Sequence, residues 1–205
     1  MTTLAFPTLS RPDPRQQQWG LVSASRSFVS PLTGSTQTLV TPGAERWRVS
    51  WTLPPLQEAD AALFQAFLVS LSGQAGRFYL YNAARPAPRG SINTSGVTVS
   101  GAVAAGASAC ALAGCGNTKT LLRGDHFAVA GELKMVVGAD LTSDAAGAIA
   151  SVAFAPAARA AWSISAAVTL LKPTATFMLD EDAVAWITRL GMFSEHVLAA
   201  TEAFA

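Results

Sequence analysis

The stretch that decides the fold runs from Glu45 to Leu80: ERWRVSWTLPPLQEADAALFQAFLVSLSGQAGRFYL. Its first part alternates apolar and polar residues, which is the period-2 pattern of a half-buried strand. The apolar face of that strand carries Trp47, Val49, Trp51 and Leu53. Pro54 and Pro55 end the strand and favour the start of a helix. The stretch therefore predicts a strand, one helix and a second strand over residues 77–81.

The predicted helix covers about residues 57–72. Its apolar stripe is wide enough to pack on a sheet, and it comprises Ala59, Leu63, Phe67 and Leu71, with Phe64 and Leu68 beside them. Glu58 and Asp60 fall in the first turn, where the helix dipole favours anions. Gly73 suits the C′ position that ends a helix. Aromatic residues at this spacing are more often core than ligand contacts, so we expect a core face.

The remainder of the chain predicts a mainly β protein. Residues 1–16 hold three prolines and read as an extended arm. Residues 96–147 contain many glycines between short apolar runs, which is typical of a small barrel or sandwich. Further strands are predicted at 19–30, 37–41, 97–99, 120–122, 126–129, 133–137, 149–154, 163–171, 176–179 and 184–187. Residues 193–204 favour a helix by composition, and a final edge strand fits them as well.

The composition limits the function classes. Only 13% of the 205 residues are charged, against roughly 25% in typical soluble domains. Two explanations stay open: an Ala- and Gly-rich protein from a high-GC genome, or a subunit that hides surface in an assembly. The net charge is +1 and no two basic residues are adjacent, so we expect no sequence-specific nucleic-acid binding.

Membrane insertion is not expected either, because no stretch supplies the 20 or so apolar residues of a spanning helix. The first residues, MTTLAFP, have no basic region followed by an apolar one, so no secretion signal is predicted. These features predict a protein that folds in a cytoplasm.

Two acidic–histidine neighbours are the first candidates for chemistry: Asp125-His126 and Glu195-His196. Adjacent residues on a strand point to opposite faces, so neither pair forms a ready dyad. The chain has no Gly-x-Ser-x-Gly nucleophile motif. We therefore predict that the protein is not an enzyme and has no catalytic residues.

Two short strings suggest binding instead. The acidic run from Asp180 to Asp182 either binds a cation or forms a solvated turn, and the turn is favoured because Ca²⁺ loops spread their ligands over about a dozen residues. Arg123-Gly124-Asp125 matches an integrin-binding string, but Gly124 is expected simply to serve a turn. No metal or cofactor site is predicted.

The cysteines and tryptophans each have two interpretations. Cys110 and Cys115 cannot complete a four-ligand zinc site alone. Free, half-buried thiols are the default in a reducing cytoplasm, and pairing across a hairpin in an oxidising particle stays open. Exposed tryptophans stack on sugars or fill an interface, and buried ones fill a core. Trp47 and Trp51 share an apolar strand face and are predicted to be core; the other tryptophans are Trp19, Trp162 and Trp186.

Several of these stretches together resemble the distal tail proteins of siphophages. The N-terminal part of the resemblance lies in WRVSWTLPPL (47–56), AALFQAFL (61–68) and GQAGRF (73–78). The later part lies in LLRGDHF (121–127), LKMV (133–136), TSDAAG (142–147), FAPAAR (154–159) and PTATFML (173–179). The resemblance covers most of the chain from about residue 17.

The resemblance implies a discontinuous β-sandwich ring domain, residues 17–88 and 173–205, with one packed helix. An inserted small β-barrel domain of OB-like or galectin-like type would occupy residues 89–172. Six copies would form a ring in the virion that contacts the tail tube, tail-tip hub and tape measure proteins. The chain itself supports the division through its composition shift near residue 90. A carbohydrate-binding module for attachment to the host surface is the alternative, and whether the inserted domain binds a receptor stays open.

Overall fold

The computed structural model describes residues 3–10, 14–189 and 193–204. Over these residues the protein is mainly β, with one α-helix and one nearly closed six-stranded barrel-like sheet, as the sequence predicts. The chain divides into two compact units. The first comprises residues 1–20, 47–86 and 172–205, and the second comprises residues 21–46 and 87–171. Residues 21–46, assigned from sequence to the ring domain, therefore group with the barrel segment.

The elements of both units follow one another in this order. They are β1 Thr3–Leu4, β2 Gln16–Val22, β3 Ser25–Val29, β4 Thr36–Val40, β5 Arg46–Thr52, α1 Glu58–Ser70, a 3₁₀ turn Gly73–Ala75, β6 Arg77–Tyr81, β7 Thr98–Val99, β8 Ala109–Ala113, β9 Thr120–Leu121, β10 His126–Val129, β11 Glu132–Val136, β12 Leu141–Thr142, β13 Ile149–Ala155, β14 Val168–Thr169, β15 Thr174–Leu179, β16 Ile187–Arg189, β17 Phe193–Glu195 and β18 Val197–Glu202.

The first unit is built on a six-stranded sheet in the order β1-β6-β15-β18-β5-β2. The inward face of β5 is buried as predicted, since Trp47, Val49, Trp51 and Leu53 are all at most 4% exposed. Helix α1 packs on this sheet through Phe67, whose ring centroid lies 5.6 Å from that of Phe78. The core of the unit is therefore a layer of aromatic rings between sheet and helix.

The buried stripe of α1 differs from the predicted one. Ala61, Phe64, Phe67 and Leu68 are buried, whereas Ala59 is exposed and Leu63 is 55% exposed. The helix is apolar on most of its circumference, so spacing alone gave a stripe rotated away from the true one. The helix C-cap is Leu71, so Ser72 and not Gly73 occupies the C′ position, and both residues have a positive φ, 53° and 66°.

Where the chain leaves the helix, its backbone passes close to the end of α1 at Gly76. A Cβ on Gly76 would lie 2.2 Å from the carbonyl oxygen of Leu71, so only glycine allows the chain to pass the helix end here.

The second unit is a barrel-like sheet in the order β14-β10-β11-β13-β8-β7. Its two ends meet, because Val99 N–H donates to Ala166 O over 2.9 Å and Val168 N–H donates to Val97 O over 2.9 Å. The interior is filled by buried apolar side chains, among them Phe127 and Phe154. The predicted runs at 97–99, 120–122, 126–129, 133–137 and 149–154 each overlap one of its strands or one strand of the small β9–β12 pair. Strand β8 was not predicted, since its Ala-Cys-Ala-Leu-Ala sequence lacks β-branched and aromatic residues.

Several predicted elements are corrected by the structure. The predicted strand at 19–30 is two strands, β2 and β3, because the chain changes partner from β5 to β4. The N-terminal arm contains β1, which pairs in parallel with β6. The predicted strand at 163–171 is reduced to β14, and the one at 184–187 begins only at Ile187.

The C-terminal segment also differs from both of its predicted forms. Residues 193–204 contain β17 and β18 instead of a helix, and β18 is a central strand between β15 and β5 rather than an edge strand. Its burial alternates, with Leu198, Ala200 and Glu202 buried. The alanines that favoured a helix by composition are the small residues of a packed central strand.

Candidate functional site: two exposed apolar surfaces

Three of the acids that the sequence marks as candidates, Asp125, Asp180 and Asp182, form contacts that join separate parts of the chain. Asp125 is 2% exposed and accepts hydrogen bonds from the backbone N–H groups of Arg89 (2.8 Å), Gly90 (3.2 Å) and Leu122 (2.9 Å). Its carboxylate thus fastens residues 89–90 to the barrel. Gly124 has φ +84° and serves a turn, as expected. Because Asp125 is buried, the Arg-Gly-Asp string does not present its acid.

The two residues of the second acidic–histidine pair, Glu195 and His196, lie in different environments. His196 is buried, with its ring centroid 5.0 Å from that of Phe64 and 6.4 Å from that of Trp186. Burial lowers the pKa of His196, so the imidazole is neutral at pH 7. Glu195 is half-buried on β17. The neutral ring between aromatic neighbours acts as a core side chain.

The acidic run after β15 joins parts of the first unit. Asp180 forms an ion pair with Arg48 over 2.9 Å and accepts a hydrogen bond from the Thr201 hydroxyl over 2.5 Å. Asp182 accepts from the backbone N–H of Gln74 over 2.9 Å. Glu181, between them, is exposed. Among residues 3–10, 14–189 and 193–204, no group of three or more His, Cys, Asp or Glu side chains is arranged to hold a metal ion.

Both thiols are free and buried. Burial, and secondarily the proximity of Cys115, raises the pKa of Cys110 to about 11. Burial also raises the pKa of Cys115. Thiols with raised pKa values carry little thiolate at neutral pH and react slowly.

The sequence did not predict the buried ion pair of Lys134 and Glu132. Lys134 is fully buried, and its ammonium lies 2.7 Å from the carboxylate of Glu132 and donates to Ala157 O over 2.8 Å. It also lies 6.0 Å from the ring centroid of Phe154 and 5.8 Å from that of Trp162. The signal for an inward pair was the spacing of Glu132, Lys134 and Val136, which share one face of a strand.

The first candidate surface is the hairpin of β3, β4 and the turn between them, residues 25–40. In the described part of the chain these two strands pair only with each other. All ten strand residues are exposed. Its large apolar side chains include Phe28 (59% exposed), Val29, Leu32, Leu39 and Val40. The hairpin thus combines apolar side chains with almost no burial in the single chain.

The second surface is a groove in the first unit, formed by two adjoining cavities that share Ala185 and Val197. Their volumes are about 270 and 300 Å³. Trp186 and Ile187 line the first cavity and are 39% and 61% exposed. The groove is thus mostly apolar, with Arg15 and Glu195 lining the first cavity and Glu181 lining the second.

The five tryptophans therefore divide by environment. Trp47, Trp51 and Trp162 are buried core residues, which confirms the prediction for the first two. Trp19 is half-buried, with its ring centroid 5.7 Å from that of Phe177. Trp186 is the most exposed of the five and lies in the groove.

Comparison with known proteins does not indicate what these surfaces bind. No protein-family model matches the chain, and no curated protein sequence matches it. Within the described residues, the helix of this fold falls short of the length and apolar character needed to cross a bilayer.

Proposed function

We propose that this chain is a structural virion protein that forms a ring of identical copies at the distal end of a phage tail. The ring would contain six copies and connect the tail tube to the tail tip or baseplate. The motifs at 47–56, 61–68 and 173–179 support this proposal through their resemblance to distal tail proteins. The mainly β fold with one helix and a barrel-like unit agrees with what that resemblance implies.

The observation that carries the proposal is the exposed hairpin. An isolated two-stranded hairpin is at best marginally stable in water, and this one leaves Phe28, Val29, Leu39 and Val40 more than half exposed. Apolar surface of this kind marks an interaction site. A ring subunit places such surface against the next copy, and interface cores are also depleted in charge, as this chain is.

The proposed role depends on shape and not on turnover. The acids best placed for chemistry, Asp125, Asp180 and Asp182, are all engaged in structural hydrogen bonds. The proposed partners are further copies of the chain, the tail tube protein, the tail-tip hub protein and the tape measure protein. The protein would be made in the bacterial cytoplasm and reside in the virion.

Native mass spectrometry and negative-stain electron microscopy of one sample test the proposal. A ring of six copies has a mass of six times 21.2 kDa, about 127 kDa. We expect this species, alone or after addition of the tail tube protein, and ring-shaped particles in the images. A strict monomer at every concentration with the tube protein present contradicts the proposal.

A carbohydrate-binding module is the second candidate, and Trp186 favours it. A tryptophan with 39% exposure at the mouth of an open cavity is suited to stacking on a sugar ring. Titration of bacterial surface polysaccharide fragments into the protein should then change tryptophan fluorescence, and Trp186→Ala should abolish the change. No fluorescence change at millimolar saccharide contradicts this second function.

A further inference from the structure

We infer that the hairpin of one copy docks in the groove of the next copy, with Phe28 and Leu39 in the two cavities and Arg26 toward Glu181. The inference rests on the proposed ring, because it names the two surfaces through which the copies join. It assigns a partner to each of the two exposed apolar surfaces at once.

The pairing of β3 with β4 determines which side chains share a face. Phe28 is opposite Gln37 and Arg26 is opposite Leu39. Directly opposed residues project from the same face, and diagonal neighbours on that face are within reach of large side chains. Phe28 and Leu39 therefore form one apolar patch, with Arg26 beside it. The other face carries Val29 and Val40 together with four serine and threonine side chains, of which Ser27 and Thr38 join their hydroxyls over 3.1 Å.

The volume of each cavity in the groove suits one large side chain. Its two cavities, about 270 and 300 Å³, lie at the lower limit of small-molecule sites, which run to about 1,000 Å³. Each suits a single large side chain better than a drug-sized ligand. Ile187 and Val197 are 61% and 65% exposed at its walls, and Leu198 lines its second cavity. A partner side chain would therefore meet apolar surface on several sides.

The charges of Arg26 and Glu181 determine the orientation in which the hairpin docks in the groove. Arg26 is the only charged residue between positions 16 and 44, and it is exposed. Glu181 is exposed at the second cavity, whereas the half-buried Glu195 of the first cavity shares its lining with the exposed cation Arg15, which disfavours a second cation there. Pairing an exposed cation with an exposed carboxylate at the rim fixes register and discourages wrong contacts more than it adds affinity. With Arg26 toward Glu181, Leu39 enters the cavity that Glu181 lines and Phe28 enters the one beside Trp186.

The two surfaces are different parts of the chain, so their contact is head-to-tail. A heterologous contact of this kind closes into a ring when the rotation between copies is suitable, and otherwise gives an open filament.

Disulfide trapping between two single variants tests the contact. Leu39→Cys protein is mixed with Ala185→Cys protein under mild oxidation, and the buried Cys110 and Cys115 stay silent. We expect a linked dimer of the two different variants in the mixture, and little linkage in either variant alone, because a head-to-tail contact keeps the same position of two copies apart. The matched control replaces Ala185→Cys by Ile164→Cys, which puts a thiol at an equally exposed apolar position of the barrel unit.

A charge exchange tests the register. Arg26→Glu alone and Glu181→Arg alone should each raise the protein concentration for half-assembly at least about tenfold, because like charges would meet. The double variant should recover assembly to within about threefold of the original, as expected for roughly 0.6 kcal/mol of residual difference. Additive loss in the double variant overturns the inference.

The outcomes separate this inference from the proposed function. Rings in the microscope without a linked dimer leave the ring standing and overturn the hairpin–groove contact. A linked dimer without rings supports the contact and overturns the ring. If neither appears, both fall, and a glycan-induced change at Trp186 would then identify sugar as the occupant of the groove.

Discussion

Replacing Glu132 with glutamine removes one charge from the buried pair with Lys134 while nearly keeping the shape. The two charged groups lie 2.7 Å apart, and Lys134 is fully buried. Breaking such a pair by removing one partner costs about 3–5 kcal/mol, because it strands a buried charge. The Ala157 carbonyl and two aromatic rings still face the ammonium, so we expect the lower limit, about 3 kcal/mol.

Urea denaturation followed by circular dichroism and fluorescence measures this loss, and a thermal scan provides a second readout. At about 2–4 °C per kcal/mol for a chain of this size, the melting temperature should fall by about 6–12 °C. Glu58→Gln is the matched control, since it neutralises an exposed acid in the first turn of α1 and should stay within about 1 kcal/mol.

The double variant Glu132→Gln with Lys134→Met separates a charge effect from a packing effect. Removing both charges from a buried pair is often neutral, so the double variant should be more stable than Glu132→Gln alone by at least about 1 kcal/mol. Two results refute the reasoning: a Glu132→Gln loss below about 1 kcal/mol, or a double variant whose loss is the sum of the single losses.

The same pair predicts a response to acid. Burial by itself raises the pKa of Glu132, but hydrogen bonds from Lys134 and from the Arg159 backbone outweigh it and lower the pKa below its ordinary 4.5. The stabilisation is therefore complete above about pH 4.5 and is lost as the pH falls through the lowered value. Glu132→Gln should flatten that acid limb of the stability curve, and an unchanged limb contradicts the assignment.

Three further predictions concern other buried groups. Phe67→Ala should cost about 3–5 kcal/mol as a large-to-small core change, whereas Leu63→Ala on the exposed side of α1 should stay within about 0.5 kcal/mol; equal losses in urea melts would contradict the burial pattern. Because burial keeps His196 neutral, stability should fall by up to about 1.4 kcal/mol per pH unit as the pH drops below about 6.5, and His196→Gln should remove that slope. Cys110 and Cys115 should resist iodoacetamide at pH 8 in the folded protein and react in urea, as mass spectrometry would show; rapid labelling of the native protein would argue against buried thiols.

The amino-acid pattern alone predicted the mainly β class, the single helix, and the barrel-like segment after residue 90. These follow from periodicity and turn residues, which are local properties of the chain. The alternation around Trp51 specified a strand face, and the different apolar spacing after Pro55 specified a helix. The two can be told apart because apolar residues recur at different intervals in strands and helices. At residues 193–204 the composition wrongly favoured a helix. Alanine suits a helix, and it also fits a tightly packed central strand such as β18.

Only the tertiary structure decided which residues meet. The pair of Lys134 and Glu132 was not predicted from the sequence, because the pair is buried only when the barrel closes around it. Asp125 was a candidate for chemistry, and the structure shows three backbone N–H groups converging on it. The exposure of Phe28 and the groove beside Trp186 were likewise invisible in the sequence. Periodicity identified the buried face of β5 but not that of α1, which is apolar on most of its circumference. Which faces are covered depends on long-range contacts, and those are fixed only when the strands take their partners.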